Sequence, residues 1–129
     1  FVARQIQLYL HKAFGGPASQ IPSDLCFDGH GGIVLVGGYA GSVSFGGAAL
    51  MSSTGITNIF SAKLSTDFTN FRSGGFGGSV GAQVVRAVAC DGDGNSIFGG
   101  WFDASLALGG PQALSSTGMD DAFLAKYAR

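Results

Sequence analysis

The sequence predicts an all-β protein built from about two copies of a four-stranded repeat. Short sequence landmarks recur in the same order along the chain, and Val, Ile, Leu and Phe runs of strand length alternate with Gly, Asp, Asn and Ser clusters. Many of the 23 glycines in the 129 residues fall at these recurring positions. No window keeps the 3.6-residue spacing of a helix for long. The length fits a single domain.

The repeat has a period of about 63 residues. Any one match could be chance in a glycine-rich chain, but five in the same order indicate duplication of one structural unit. The landmarks are Phe1-Val2-Ala3-Arg4 with Phe60-Ser61-Ala62-Lys63 and Phe123-Leu124-Ala125-Lys126, Phe14-Gly15-Gly16 with Phe76-Gly77-Gly78, Asp28-Gly29-His30-Gly31 with Asp91-Gly92-Asp93-Gly94, Gly37-Gly38-Tyr39 with Gly99-Gly100-Trp101, and Ser52-Ser53-Thr54-Gly55 with Ser115-Ser116-Thr117-Gly118.

Each repeat is predicted to contain four strands joined by turns. We place the strands of the middle repeat near Asp24–Asp28, Ile33–Tyr39, Ile59–Leu64 and Asn70–Phe76. The segments after Asp28 and Asp91 are rich in Gly, Asp and Asn, which accept the positive φ angles of hairpin turns. Residues 3–10 are the one stretch whose spacing is compatible with a helix.

The second strand of the repeat predicts how the sheets pack. Ile33-Val34-Leu35-Val36 is apolar at successive positions, so both faces of its sheet should be covered. Four-stranded sheets stacked around an axis are the blades of a β-propeller, and residues 41–55 and 103–118 would be one long loop per blade. On this frame residues 1–22 end a preceding blade, 23–78 form a complete blade, and 79–129 form a second blade that lacks its last strand.

These motifs resemble the bacterial seven-bladed β-propeller (SBBP) repeat, which occurs in long secreted or surface proteins. The resemblance covers nearly the whole chain and is best from Cys90 to Tyr127. It departs at the N-terminus and at Asp28-Gly29-His30-Gly31, where the second acid and the Asn of the motif are missing. The family implies an extracellular propeller and no particular ligand or activity.

Two blades do not close a propeller of about four to eight blades, and repeat proteins generally need at least three units. Other blades are therefore the predicted partners. They would come either from homo-oligomerisation, with the N-terminal strands of one chain completing the last blade of its neighbour, or from a longer parent chain. The chain begins at Phe1 without an initiator Met, which favours a piece of a longer polypeptide.

The composition argues against nucleic acid and membrane partners. The net charge is −1, and seven cations scattered between Arg4 and Arg129 do not form the basic stripe that phosphate binding requires. No apolar run approaches the roughly 18 residues of a membrane span.

The two cysteines, Cys26 and Cys90, are too few for a disulfide framework or a zinc site. They are one residue out of register relative to Asp28 and Asp91, so they should point to opposite faces of their strands. The sequence therefore predicts that they are not bonded to each other.

Two candidate binding sites emerge. Tyr39 and Trp101 each follow a Gly-Gly pair, and with Asp103 they could form a sugar-binding platform; the alternative is that both rings pack between blades. Asp91, Asp93 and Asn95 have the spacing that begins a calcium loop, so calcium is the one candidate cofactor. The bidentate Glu of such a loop is missing, which leaves a plain hairpin turn as the alternative.

The sequence predicts no enzyme. Gly77-Gly78-Ser79-Val80-Gly81 has the pattern of a nucleophile elbow, but a strand is expected after it and both histidines precede it. The cations Arg4, Lys63 and Lys126, which recur after Phe-x-Ala, are interpreted as solvated strand positions. We therefore expect a structural or protein-interaction scaffold, extracellular or at the cell surface; the alternative is a glycan-binding, lectin-like oligomeric propeller.

Overall fold

The computed structural model describes residues 3–52 and 56–129, and the chain in these ranges forms antiparallel β-sheets without any helix. The prediction of an all-β fold is confirmed. The strands are β1 (Gln20–Phe27), β2 (Gly32–Tyr39), β3 (Ser42–Val43), β4 (Leu50–Met51), β5 (Asn58–Ser65), β6 (Asn70–Phe76), β7 (Gln83–Cys90), β8 (Ser96–Phe102), β9 (Ser105–Leu106), β10 (Leu114–Ser115) and β11 (Asp121–Tyr127).

The first sheet has the strand order β1-β2-β5-β6, the simple meander that the repeat predicts. β2 is buried on both faces, with Ile33 8% and Val34 3% exposed, as its unbroken apolar run predicts. The largest difference from the prediction is at β1. It begins at Gln20 rather than near Asp24, so the predicted boundary between residues 22 and 23 lies inside a strand.

The second sheet has the order β11-β8-β7, and its described part has three strands where the first sheet has four. Its paired positions lie 63 residues after those of β1, β2 and β5. Gln20 pairs with Tyr39, for example, and Gln83 pairs with Phe102. Even the register shift of β1 after Pro22 recurs in β7. The duplication predicted from the sequence therefore holds residue by residue in these strands.

The predicted long loop of each repeat contains a short hairpin. β3 pairs with β4, and β9 pairs with β10. The connection is residues 44–49 in the first hairpin and 107–113 in the second, which is one residue longer. The 63-residue offset is restored at Asn58 and Asp121, where β5 and β11 begin. The Ser53-Thr54-Gly55 part of the last landmark, like Phe1 and Val2 of the first, lies outside the described residues.

Each sheet has two unlike faces, which we name by equivalent residues. The front face carries Cys26, Val34, Val36 and Ile59 in the first sheet, and Ala89, Ile97, Gly99 and Ala122 in the second. The rear face carries Leu25, Phe27, Leu35, Tyr39 and Phe60 in the first sheet, and Val88, Cys90, Phe98, Phe102 and Phe123 in the second.

The two sheets stack front to rear. The front face of the first sheet packs against the rear face of the second, chiefly through β7 lying over β1 and β2. Val34, Val36 and Ile59 share one buried core with Phe98 and Phe102. The carboxylate of Asp24 also accepts a hydrogen bond from the Val88 amide across the interface, at 3.0 Å. A second core lies on the rear face of the first sheet, where Phe14 and the β3–β4 hairpin cover Tyr39 and Phe60.

A disulfide between Cys26 and Cys90 joins the two sheets, with the Cα atoms 5.9 Å apart. The sequence-based prediction that these cysteines do not pair is wrong. They do lie on opposite faces of their own sheets, Cys26 on a front face and Cys90 on a rear face. Because stacked repeats meet front to rear, these opposite faces are the two that touch.

The segment before the first sheet differs from its prediction. Residues 3–10, compatible with a helix by their spacing, have no regular secondary structure. Ile6 and Tyr9 are almost fully exposed, so this segment has no apolar surface to pack against within its own chain. No helix in the described ranges is long and apolar enough to cross a membrane.

Candidate functional site

A lysine–aspartate ion pair closes the first turn of each repeat. In the first repeat Lys63 Nζ lies 2.7 Å from Asp28 Oδ2, and in the second Lys126 Nζ lies 3.0 Å from Asp91 Oδ2. The turn follows β1 or β7, and the lysine comes from β5 or β11, two strands away in the sheet. The ion pair therefore ties the turn to a strand that is not its direct neighbour in the sheet.

The second carboxylate oxygen holds the turn itself. Asp28 Oδ1 accepts hydrogen bonds from the amides of His30 and Gly32, both at 2.8 Å. Asp91 Oδ1 accepts them from Asp93 at 3.0 Å and Asn95 at 2.9 Å. The interpretation of Lys63 as a solvated strand position is wrong, because it is the buried counterion of a turn aspartate, whereas Lys126 is solvated as predicted and pairs with Asp91 at the surface. Only 13% of the Lys63 side chain is exposed.

The two turns use different residues opposite the aspartate. At Gly32 an added Cβ would lie 2.3 Å from Asp28 Oδ2 and 2.7 Å from Lys63 Cε, so glycine leaves room for the buried ion pair. Its counterpart Asn95 keeps a side chain and donates from Nδ2 to Asp91 Oδ2 at 2.9 Å. The Asn that the first repeat lacks is thus replaced there by closer packing of lysine on aspartate.

These contacts lower the pKa of both carboxyl groups. The hydrogen bond from Lys63 is the main cause for Asp28 and, with the two turn amides, lowers its pKa to about 2 against the opposing effect of burial. For Asp91 the hydrogen bond from Asn95 is the largest cause and that from Lys126 the next, and its pKa is also lowered. Both aspartates are charged, structural groups at neutral pH.

The three residues predicted to begin a calcium loop lie together in the second of these turns. Asp91 directs one oxygen at two backbone amides and the other at Lys126 and Asn95, so both oxygens already face donors. Asp93 contributes its amide to this turn. Within residues 3–52 and 56–129 no group of three or more His, Cys, Asp or Glu side chains is arranged to hold a metal ion. The geometry is that of an Asx-stabilised turn.

A melting experiment tests the sequence-based hypothesis that Asp91, Asp93 and Asn95 bind calcium. We expect the same melting temperature in EDTA and in millimolar CaCl₂, because a calcium ion would have to displace the Lys126 ammonium. Differential scanning fluorimetry on the two samples measures this. A calcium-dependent rise that Asp93→Ala removes would instead establish a metal site.

The predicted glycan platform is not assembled in one place. Tyr39 is 1% exposed and lies in the rear core, with its ring 6.4 Å from that of Phe60. Trp101 is half-buried and shares the front face of the second sheet with Ala122, its partner in the register. The structural counterpart of Tyr39 is Phe102, because Gln20 and Gln83 pair with these two residues. The Gly-Gly match is therefore one residue out of register.

Asp103, the polar member of that platform, follows β8. Its Oδ1 accepts the Ala82 amide at 3.2 Å, which joins the end of β8 to the start of β7. The Gly77–Gly81 segment lies in the connection from β6 to β7, as predicted, and no helix follows it. Gly77 bridges to Ala107 of the adjacent hairpin, so this connection is part of the junction between repeats.

The front face of the second sheet is open. Ala87, Ala89 and Ala122 are exposed, and Leu124 is 79% exposed and lies across Gly99. These residues form a shallow apolar groove of about 490 Å³. The equivalent face of the first sheet is the one buried against the second sheet. This open front face is therefore an apolar surface whose counterpart in the same chain has a partner.

A smaller cavity of about 160 Å³ lies where the two sheets diverge. Lys63 and Arg72 line it from the first sheet, and Ser96 and Tyr127 from the second. Arg72 donates to the Ala128 carbonyl across the gap. Phe76 closes one side by packing against Phe98 and Tyr127, at 5.9 and 5.2 Å between ring centroids. The backbones of the two sheets are therefore close at β7, and the cavity separates them on the side of β6.

A constant 63-residue offset in the sequence matches the equivalent residues of the two repeats. It matches Asp28 with Asp91 and Lys63 with Lys126, although the contact between lysine and aspartate is seen only in the structure. It also pairs Tyr39 with Phe102 rather than with Trp101. No family model, no curated protein and no solved structure matches this chain.

Proposed function

We propose that the chain is an extracellular module of β-propeller blades that serves as a structural and protein-interaction scaffold. One observation carries the proposal: the rear face of the second sheet covers the front face of the first, while the front face of the second sheet and the β1 side of the rear face of the first lie exposed at the ends of the stack. Because the surfaces that form the interface between the sheets recur, exposed, at both ends of the stack, the chain is suited to binding further repeat units.

The blade arrangement is supported by the shape of the stack. Each sheet is an antiparallel meander, and the two sheets approach at β7 and diverge towards their outer strands, where the cavity opens. Sheets that splay in this way go around an axis rather than along a line. The resemblance of the repeat to the SBBP family points in the same direction.

An extracellular or cell-surface setting is supported by the disulfide. Cys26 and Cys90 bond across the interface between repeats, and such bonds persist in oxidising compartments. The proposal involves binding and assembly and assigns no catalytic step. The glycan-binding alternative remains a sequence-based prediction, for which Trp101 and Asp103 are the members that lie outside the buried cores.

A tandem chain tests the proposed stacking. Arg129 is the counterpart of Thr66, so residues 67–129 placed after Arg129 continue the repeat in frame. The appended copy should carry Cys90→Ser, because the residue facing it would be Ala89. We expect unfolding in a single transition at a higher guanidinium concentration than for the native chain, since the third sheet covers the open front face.

Ala122→Asp in the first copy is the matched control. Ala122 is exposed in the native chain, so the substitution should change stability little. In the tandem chain its position is equivalent to that of Ile59, which is buried in the core between the sheets, so the charge would be buried and the gain removed. Two separate unfolding transitions, the first at the midpoint of the native chain, would show that the repeats do not stack in this way.

A further inference from the structure

Residues 8–14 are the counterpart of β6, displaced by 62 residues. Gly15 bridges to Ser44 as Gly77 bridges to Ala107. Phe14 packs on the ring of Phe45, in the rear core of the first sheet. Phe76, at the end of β6, packs in the same way on the rear face of the second sheet. Residues 8–14 therefore precede the first sheet in the same way as β6, a strand of the first sheet, precedes the second.

This counterpart of β6 has no sheet of its own in the described chain. Residues 3–14 form no strand, and Leu8 is 70% and Tyr9 98% exposed. In the first sheet β6 lies along β5. β11 is the counterpart of β5, and within the described residues it pairs on one side, with β8. The described chain thus contains one segment, residues 8–14, that pairs with no sheet, and one sheet edge, β11, that lacks the strand present at the equivalent edge of β5.

Apolar surface is also exposed beside this strand and this edge, on the front face of the second sheet and on the β1 side of the rear face of the first sheet. The front face of the second sheet carries exposed Ala89 and Leu124. The rear face of the first sheet carries Phe27, which is 68% exposed, and Leu25, which is 48% exposed. The counterparts of the latter two are Cys90 and Val88, which lie in or against the core between the sheets. In the interface between the two sheets, the counterparts of these exposed residues contact each other, a front face against a rear face.

We infer that a second copy of this chain docks on the first, head to tail. Residues 8–14 of the incoming copy add as an antiparallel strand to the free edge of β11, and its rear face covers the open front face beside that edge. The docking repeats the geometry by which β6 and the second sheet follow the first sheet inside one chain. It rests on the stacking proposed above and specifies the partner.

The register of the added strand follows from β5 and β6. Lys63 lies opposite Arg72 in that pair, and the equivalent pair between copies is Lys126 with Leu10. Two cations facing each other across strands are unfavourable, so the joint between copies avoids a repulsion that the chain carries internally. Ile59 and Phe76 map onto Ala122 and Phe14, which places the Phe14 ring at the edge of the front face.

This contact uses different surfaces on the two copies. A front face meets a rear face, so each docked copy presents a further front face, and the assembly either closes into a ring or extends. The chain thus has a donor end, with residues 8–14 and the rear face, and an acceptor end, with β11 and the front face.

The native disulfide supplies the template for a cross-linking test. Ala89 is the counterpart of Cys26, and Phe27 is the counterpart of Cys90; both are exposed. In the docked pair, position 89 of one copy and position 27 of the next occupy the places of that bond. We expect a mixture of the Ala89→Cys and Phe27→Cys chains to form a disulfide-linked dimer of about twice 13.0 kDa under mild oxidation.

Peptide mapping of the dimer should find the bond between positions 89 and 27, which separates it from exchange with the native bond. Each variant alone is the control. A mixture no more cross-linked than the separate variants, or dimers of the Ala89→Cys chain with itself, would overturn the head-to-tail geometry.

The strand addition has its own test. Neighbouring amides of a strand point to opposite sides, so the double substitution Leu10→Pro/His11→Pro removes whichever one bonds to β11. We expect it to abolish the cross-link and to return the solution mass, measured by light scattering, to that of one chain. Leu10→Ala/His11→Ala should assemble, and both variants should keep the far-ultraviolet circular dichroism spectrum of the native chain because residues 3–14 lie outside the sheets.

Equal assembly by the proline and alanine variants would overturn the added strand. The outcome is separable from that of the tandem chain. If the tandem chain gains stability but the Ala89→Cys and Phe27→Cys chains do not cross-link, stacking within a chain stands and docking between chains is refuted.

Discussion

Replacing both Cys26 and Cys90 with serine is expected to lower the free energy of unfolding by about 4 kcal/mol. The bond spans 64 residues of sequence, and a loop of that length restricts the unfolded chain by roughly this amount. It also joins two sheets whose other contacts are a shared apolar core and a few hydrogen bonds, such as that from the Val88 amide to Asp24. Guanidinium unfolding followed by circular dichroism measures the change.

The native chain in dithiothreitol should show the same loss, and this separates the bond from the effect of serine. The far-ultraviolet spectrum should stay that of a β-protein where folded molecules remain, because neither sheet needs the bond for its own hydrogen bonds. A loss below about 1 kcal/mol in both samples would mean that the core alone holds the sheets together.

Asp28→Ala is expected to cost about 3 to 5 kcal/mol, the usual range for removing one partner of a buried ion pair. The Asp28 side chain is 1% exposed, and the substitution leaves the Lys63 ammonium and the amides of His30 and Gly32 without their acceptor. Asp28→Asn keeps an acceptor for the amides and loses the charge, so its effect should be intermediate.

Asp91→Ala is the matched control from the second repeat. It removes the same contacts at a site where 58% of the Lys126 side chain is exposed, so water can replace the lost partner and the effect should be much smaller. Equal losses at positions 28 and 91 would show that the turn hydrogen bonds matter and that the burial of the ion pair does not.

The pH dependence of stability gives a second measurement on Asp28. Its pKa is lowered to about 2 in the folded chain, against about 4 when unfolded, so the unfolded state binds the proton more readily. The stabilisation is therefore complete above about pH 4 and is lost as the pH falls towards about 2. Asp28→Asn should flatten the dependence in this window relative to the native chain.

The long strands of the sheets could be predicted because local chemistry specifies them, whereas the short hairpin strands within residues 41–55 and 103–118 were predicted as loops. The Gly- and Asp-rich turns after Asp28 and Asp91 fix where β1 and β7 end, and the apolar run from Ile33 to Val36 marks a doubly covered strand. The start of β1 could not be predicted from Gln20-Ile21-Pro22-Ser23, because a proline and a register shift obscure the alternation there.

Contacts between repeats and between strands that are not neighbours were harder to predict, because they depend on which faces and turns meet. Cys26 and Cys90 lie on opposite faces of their strands, which excludes a bond within one sheet and permits one between stacked sheets. Lys63 could not be paired with Asp28 by strand patterning, since the contact crosses β2 to reach a turn. A match one residue out of register was enough to pair Tyr39 with Trp101 instead of Phe102.

The unequal hairpins have a practical consequence for protein engineering. The β9–β10 connection is one residue longer than the β3–β4 connection, yet the strands that follow each hairpin return to the common offset. The extra residue at 107–113 is compensated after the hairpin, where residues 116–120 are one fewer than residues 52–57, so the length variation does not reach the sheet strands that stack. A foreign peptide grafted at either tip should be carried by the scaffold without altering its frame, so that every added repeat would display one more copy of the peptide.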